Sequence, residues 1–362
     1  MIKTVFMTSH MAELKGSAMS LSTLVLGLDK CRYRPIVCFA KPGPLIEKLG
    51  DHDIRTVRIA YNGFAKLFTF IRLYLFLRSA KVDLVYVNCA VGFSRVAAKA
   101  ARCLGIPVVW HVREPPLGSR VQKNLKWMKK LAQLVVVVSE ELRQYLAPHV
   151  GEIINVPNGV DLQRFQPGVI TESVRTAYGI PPSAFIVGCI GSLEERKNTR
   201  RFVQAAIDIA EKYDHVYCLV VGAGEHKYVE ALKDSVHERE LEKRIVFTGP
   251  RWDMPEIMAS LDVLMMPSEW EGFPRVVIES MAVGTPVIAS NVGDVPAIIR
   301  HGEDGIIMQS WRRDDLIAVM SWAVEHQVEL SRYAESAVAN VRCRFSQGRH
   351  VEKMQALFDK LM

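Results

Sequence analysis

Two carboxylates, Glu271 and Glu279, bracket the run Gly272-Phe-Pro-Arg-Val-Val-Ile278, and their type and spacing make them the strongest candidates for chemistry in this chain. Glu279 stands in an otherwise apolar segment: Val276 to Ile278 precede it, and Met281, Ala282 and Val283 follow. An unpartnered carboxylate there would cost several kcal/mol, on the order of the buried-charge penalty after relaxation, so something must hydrogen-bond to it. Pro274 fits the first turn of a helix, a strand-like run from Asp262 to Met266 comes before it, and Gly284 ends the helix before a second strand, Pro286 to Ser290. Glu271 is thereby expected at the carboxyl end of a strand and beside a helix N-terminus, where open α/β sheets bind anionic ligands.

The elements that must hold this site form two series. Short β-branched runs recur at Thr4 to Thr8, Ile36 to Phe39, Leu84 to Asn88, Pro107 to His111 and Leu134 to Ser139. A second set follows at Phe185 to Gly191, Val216 to Gly222, Ile245 to Gly249, Asp262 to Pro267 and Pro286 to Ser290. Helix-length segments separate them, the pattern of βαβ units and parallel sheets. Each series makes one doubly wound domain, and the stretch 160–182, rich in Pro, Gly and polar residues, reads as the hinge. The expected organisation is a first domain over 1–162, a second over 163–342, and a C-terminal helix over 343–362 packing back toward the first. The cleft between the two domains is the default ligand site.

Composition sets outer bounds. A chain of 362 residues, 49% hydrophobic and 23% charged, is globular and too long for one ordinary core. Its start, Met1-Ile-Lys-Thr-Val-Phe-Met7, reads as a buried strand and not as a cleavable signal. Seven cysteines without a C-x-x-C pair give neither a disulfide framework nor a zinc cluster, and a reduced, cytoplasmic protein is the simplest expectation. The formal charge of +7 implies attraction to an anion without saying whether that is nucleic acid, nucleotide or lipid. Between Phe64 and Lys81 an apolar stretch is flanked and interrupted by Lys66, Arg72, Arg78 and Lys81, and Lys123, Lys126, Lys129 and Lys130 form a second cluster. The stretch is too short to span a bilayer and suits either a helix at a membrane interface or a buried core helix with solvated basic ends.

The segment Glu271-Gly-Phe-Pro-Arg-Val-Val-Ile-Glu279, continuing Ser-Met-Ala-Val-Gly-Thr-Pro-Val287, resembles the E-x7-E donor signature of family 4 (group 1) glycosyltransferases. These are retaining enzymes of the GT-B fold, two Rossmann-like doubly wound domains with the active site in the cleft between them. Further pieces occur in the family's order. Val138-Ser139 with Leu142 and the linker Val156-Pro-Asn-Gly-Val-Asp161 are similar to the end of its first domain. Gly188-Cys-Ile-Gly-Ser-Leu-Glu-Glu-Arg-Lys-Asn198 resembles the first donor loop, and Val220-Val-Gly-Ala-Gly224 the next glycine turn.

The resemblance implies transfer of a sugar from a nucleoside-diphosphate donor to a sugar or lipid-linked acceptor in envelope or polysaccharide biosynthesis. It implies no cofactor, no metal and no nucleic-acid partner; the basic, apolar segments at 64–81 and 123–130 add an anionic membrane surface, at the inner face of the membrane, as a further expected partner. Cleaving the donor builds charge on the leaving phosphate, which needs fixed cations and N–H groups. Lys197 takes the phosphate-lysine position, and Arg196 and Arg275 stand near it. Glu279 corresponds to the acceptor of ribose hydroxyls and Glu271 to the contact with the donor sugar. The amides of Gly272, Phe273, Pro274 and Arg275, proline lacking the N–H, mark the stretch that holds sugar and phosphate in the family. His111 corresponds to the first-domain histidine near the reacting sugar, and Gly16 and Gly191 to the two phosphate-side glycine loops. Three departures touch these positions: Ser192 follows Gly191 where the family commonly has arginine, Gly16 has no neighbouring glycine, and Asp294 and Ala297 replace a glycine and an acid. They keep a catalytically silent sugar-nucleotide-binding subunit and a GT-B-like sugar-nucleotide epimerase or phosphorylase open as alternatives. Gly222-Ala-Gly224 also imitates the start of a nicotinamide loop, though Lys227 occupies the third glycine position.

Overall fold

The computed structural model describes residues 2–13, 16–61, 66–88, 92–113, 121–169 and 172–362, without the side chains of 121–123 and 173. Lys15 and Phe64, beside the expected glycine loop and apolar stretch, lie outside the described residues, as does the Lys123 side chain. Two compact units emerge, one of Met1–Gly159 with Gln347–Met362, the other Val160–Ser346. The breaks thus fall after Gly159 and before Gln347, a few residues from the expected 162 and 343.

The first unit alternates β1 (Lys3–Ser9), α1 (Gly16–Gly27), β2 (Tyr33–Phe39), α2 (Leu45–Gly50), β3 (Arg55–Arg58), α3 (Lys66–Ser79) and β4 (Leu84–Asn88). It continues through α4 (Gly92–Cys103), β5 (Val108–Val112), α5 (Val121–Leu131), β6 (Leu134–Val137), α6 (Glu140–Leu146) and β7 (Ile153–Asn155). Its strands are parallel, ordered β3-β2-β1-β4-β5-β6-β7. Inner strands such as β4, β5 and β6 are buried throughout, which is why they read as unbroken apolar runs.

The second unit runs α7 (Glu172–Ala177), β8 (Phe185–Ile190), a 3-10 turn Glu195–Lys197, α8 (Thr199–Lys212), β9 (Val216–Val221), α9 (His226–His237) and β10 (Ile245–Gly249). Then come α10 (Met254–Ala259), β11 (Val263–Met266), α11 (Arg275–Val283), β12 (Val287–Ser290), α12 (Val295–Ile298), β13 (Ile306–Met308), α13 (Arg313–Glu325) and α14 (Gln327–Arg344). The sheet is again parallel, ordered β10-β9-β8-β11-β12-β13. The last helix, α15 (Gln347–Leu361), belongs to the first unit, where Val351, Met354 and Phe358 enter the core with Leu21 and Tyr86.

In each sheet the strand order reverses at one place, between β1 and β4 and between β8 and β11. In open parallel sheets such a reversal is where ligands bind, outside the carboxyl ends of the strands.

Helix α3 is not an ordinary core helix. It buries Thr69, Leu73 and Leu77, while Leu67 and Phe68 are 69% and 72% exposed and Ile71 and Leu75 also face solvent. It packs on α4, and α4 on α5. No helix among the described residues is long and apolar enough to cross a membrane.

Candidate functional site

In the second unit the reversal point gathers nearly all the donor-side candidates. The turn after β8 lies backbone against backbone on the turn after β9: Gly191 N–H donates to Val221 O (3.0 Å) and Leu193 N–H to Ala223 O (2.9 Å). A Cβ on Gly222 would stand 1.8 Å from Gly191 O, and one on Gly224 2.1 Å from Leu193 O. Those glycines therefore serve close packing of two turns, which accounts for Gly222-Ala-Gly224 without a dinucleotide.

The chain then makes the 3-10 turn carrying Arg196 and Lys197 and reverses at Asn198, whose φ of +52° places it in the left-handed region. Asn198 Nδ2 donates to Pro267 O (2.8 Å), and Glu269 N–H donates to Arg196 O (2.9 Å), so the loops after β8 and β11 are tied together. The Arg196 guanidinium donates to Trp270 O (3.0 Å) and Glu194 (2.9 Å) and lies over the Trp270 ring. It braces the loop junction.

Lys197 Nζ forms an ion pair with Glu271 Oε1, which also accepts from Ser268 Oγ (2.8 Å). Glu271 itself is buried. Helix α11 begins at Arg275 with Pro274 as its cap residue, one position later than the proline-first-turn expectation, and Gly284 closes it in the left-handed region. The carbonyl of Gly272 accepts from Asp294 N–H (3.0 Å), and a Cβ on Gly293 would stand 2.0 Å from Glu271 O. The Gly293-Asp294 loop is thus pressed against the backbone of the Glu271-Gly272 turn, which Phe273, itself buried, continues.

Glu279 does have the partner its surroundings demand. Arg275 Nη2 donates to its carboxylate at 2.6 Å, with the two side chains only 18% and 13% exposed. The sequence signal was there: arginine and glutamate four apart on a helix face each other.

The first unit places His111 differently from the donor-side residues. His111 is wholly buried at the end of β5, with Nδ1 2.6 Å from Tyr86 Oη and its ring beside those of Tyr86 and His350. Burial, then the nearby charges of Arg113 and His350, push its pKa well below 6.5, so it is neutral at pH 7. Tyr86 Oη accepts from Arg113 Nη2 (3.1 Å) and shares its other hydrogen bond with His111 Nδ1. His111 Nε2 is buried without a partner among the described residues. Arg113 further donates from Nε to Asn88 Oδ1 (2.7 Å) and from Nη1 to Asn158 Oδ1 (2.6 Å). Arg113, Tyr86 and Asn88 escaped the sequence reading, although period-two spacing puts Arg113 on the face of His111 and Tyr86 on that of Asn88. Gly16 opens α1 with φ of +51°, where a side chain would be strained.

The profile described as "Glycosyl transferases group 1" matches residues 171–340, and that of "Glycosyltransferase Family 4" matches 14–164. A lipopolysaccharide core biosynthesis mannosyltransferase, LpsB of Rhizobium meliloti, is 32% identical over 58% of this chain and 62% of its own length. The match therefore spans less than two thirds of that relative. An Escherichia coli UDP-Gal:alpha-D-GlcNAc-diphosphoundecaprenol alpha-1,3-galactosyltransferase is 27% identical over 89% of this chain and 88% of its own. Among solved structures, Anabaena HepE in complex with UDP and glucose superposes with a TM-score of 0.87 at 21% identity, covering 99% of this chain and all of that one. With both halves matched in order and the fold that of GT-B enzymes, the chain belongs to the family 4, group 1 glycosyltransferases.

Proposed function

We propose that this protein is a retaining, metal-independent glycosyltransferase whose second unit binds a nucleoside-diphosphate sugar and whose first unit receives the acceptor. The observation that carries this is the pairing of two cations with two carboxylates at one strand-order reversal, Lys197 with Glu271 and Arg275 with Glu279. In the ligand-free protein each cation neutralises a carboxylate. An arriving diphosphate competes for both cations and frees the carboxylates for hydroxyl groups, Glu271 for the donor sugar and Glu279 for the ribose. As the leaving phosphate gains charge, Lys197 and the N–H groups at the start of α11 stabilise it. Arg275 takes the role of second phosphate cation, since Arg196 is engaged by Glu194 and Trp270. Gly191 and Gly16 let backbone approach the phosphates closely, and His111, neutral, acts through hydrogen bonding near the sugar and not as a cation.

A uridine donor is the first choice, because HepE is described in complex with UDP and glucose. A lipid-linked saccharide is the acceptor of choice, after the diphosphoundecaprenol of the Escherichia coli relative. The exposed apolar face of α3, with the basic residues Lys126, Lys129 and Lys130 of α5, suits reversible docking on an anionic membrane. A silent nucleotide-sugar-binding subunit is the second reading, favoured by one fact: both carboxylates are already satisfied. A thermal-shift panel of uridine, guanosine and adenosine diphosphate sugars identifies the base, with about 2.7 kcal/mol of stabilisation at a hundred times the dissociation constant. Donor turnover then separates enzyme from binder, and proton NMR of the first-formed product decides the stereochemistry. A β-linked product from an α-linked donor would overturn retention.

A further inference from the structure

Arg113 is a buried cation with no anionic partner among the described residues. Its residue is 6% exposed, and its acceptors are all neutral: the amide oxygens of Asn88 and Asn158 and the Tyr86 hydroxyl. A guanidinium has five N–H donors, and three are accounted for, so two remain without an acceptor among the described residues. Bringing a guanidinium out of water is costly unless a counter-charge meets it. The partners that hold it come from two segments far apart in the chain, β4 and the linker at Asn158, so the cost is sustained at a position that separate parts of the unit keep in place. Through Tyr86 the same chain of hydrogen bonds reaches His111, whose Nε2 is a second unsatisfied buried atom. The cluster lies at the carboxyl edge of β4 and β5, the edge at which open parallel sheets receive ligands.

We propose that Arg113 is the centre of an anion site in the first unit, taking a phosphate oxygen carried by the acceptor. This rests on the transferase reading for the word acceptor; the anion site itself does not. A guanidinium fork matches two phosphate oxygens, and the two unused N–H groups supply that fork. The neutral state of His111 fits a site in which one permanent cation holds the ligand while the imidazole adds a hydrogen bond.

Inorganic phosphate and phenyl phosphate are titrated into the full chain by calorimetry, in a Lys197→Ala background that removes the donor-side phosphate lysine. Phosphate binding is expected in that background, weakened about 10- to 100-fold by Arg113→Gln, as for a lost charge-assisted hydrogen-bond pair. Arg113→Lys keeps the charge in the same place and is expected to weaken it less, which also covers a Gln variant that folds poorly. Absence of phosphate binding, or equal affinity in all three proteins, would overturn the site. In the parent enzyme, Arg113→Gln should raise the KM of a phosphate-bearing acceptor far more than that of the same acceptor without its phosphate. An equal rise for both acceptors would refute the acceptor assignment. If no transfer is found with any donor, the transferase reading fails while the phosphate titration still decides the anion site.

Discussion

If diphosphate binding separates Arg275 from Glu279, the energetic coupling between them should exist in the ligand-free protein and vanish in the nucleotide-bound one. The perturbation is a double-mutant cycle of Arg275→Ala, Glu279→Ala and the pair together. An exposed i,i+4 ion pair contributes about 0.3–0.5 kcal/mol, and stripping one partner from a fully buried pair costs about 3–5 kcal/mol. With Nη2 and Oε1 2.6 Å apart and the side chains 18% and 13% exposed, this pair lies between those limits. A coupling of about 2 kcal/mol is the expected value. For a unit of this size that corresponds to a melting shift of about 4–8 °C between the cycle's prediction by addition and the double variant. Urea or thermal unfolding of all four proteins, with and without saturating UDP, measures it. Calorimetry should show Glu279→Ala weakening UDP and the UDP-sugar alike, while a separate Glu271→Ala variant spares free UDP. Coupling that is as large with nucleotide as without would refute partner exchange and leave Arg275–Glu279 as a structural pair.

Lys197→Ala should lower turnover by about a hundredfold, the usual loss for an electrostatic donor to developing charge, with a far smaller effect on the melting temperature; steady-state rates beside calorimetric melts check it. His111 carries a lowered pKa, so its contribution to stability is present above its unfolded value of 6.5 and drains away as pH falls below it. Urea midpoints of the parent should therefore drop between pH 7 and pH 5 by up to about 1.4 kcal/mol per unit on account of this one group, and His111→Gln should flatten that slope. Co-sedimentation with anionic liposomes should be salt-sensitive and weakened when Lys66, Arg72, Arg78 and Lys81 become glutamine; binding absent at low salt would leave the α3 face without a membrane role.

Amino-acid order alone carries the architecture of this chain, because the inner strands of a parallel sheet must be apolar on both faces. The runs at β1, β4, β8, β9, β11 and β12 stand out for that reason, and the donor signature could be recognised between the last two. The edge strands β3, β7 and β13 escaped notice, since each is only three or four residues long and only partly buried. Spacing also announced that Glu279 needs a partner, and the partner, Arg275, lies within reach of helical periodicity. Nothing local could have paired Lys197 with Glu271, or Arg196 with the Trp270 carbonyl, each 74 residues away. Those pairings arise because β8 and β11 are neighbours in space though two βα units lie between them in the chain. The burial of His111 and the neutral acceptors around Arg113 have the same origin: strands β4 and β5, the linker and α15 converge on one point only once the sheet is assembled, and that convergence sets the charge state of the imidazole and the partners of the guanidinium.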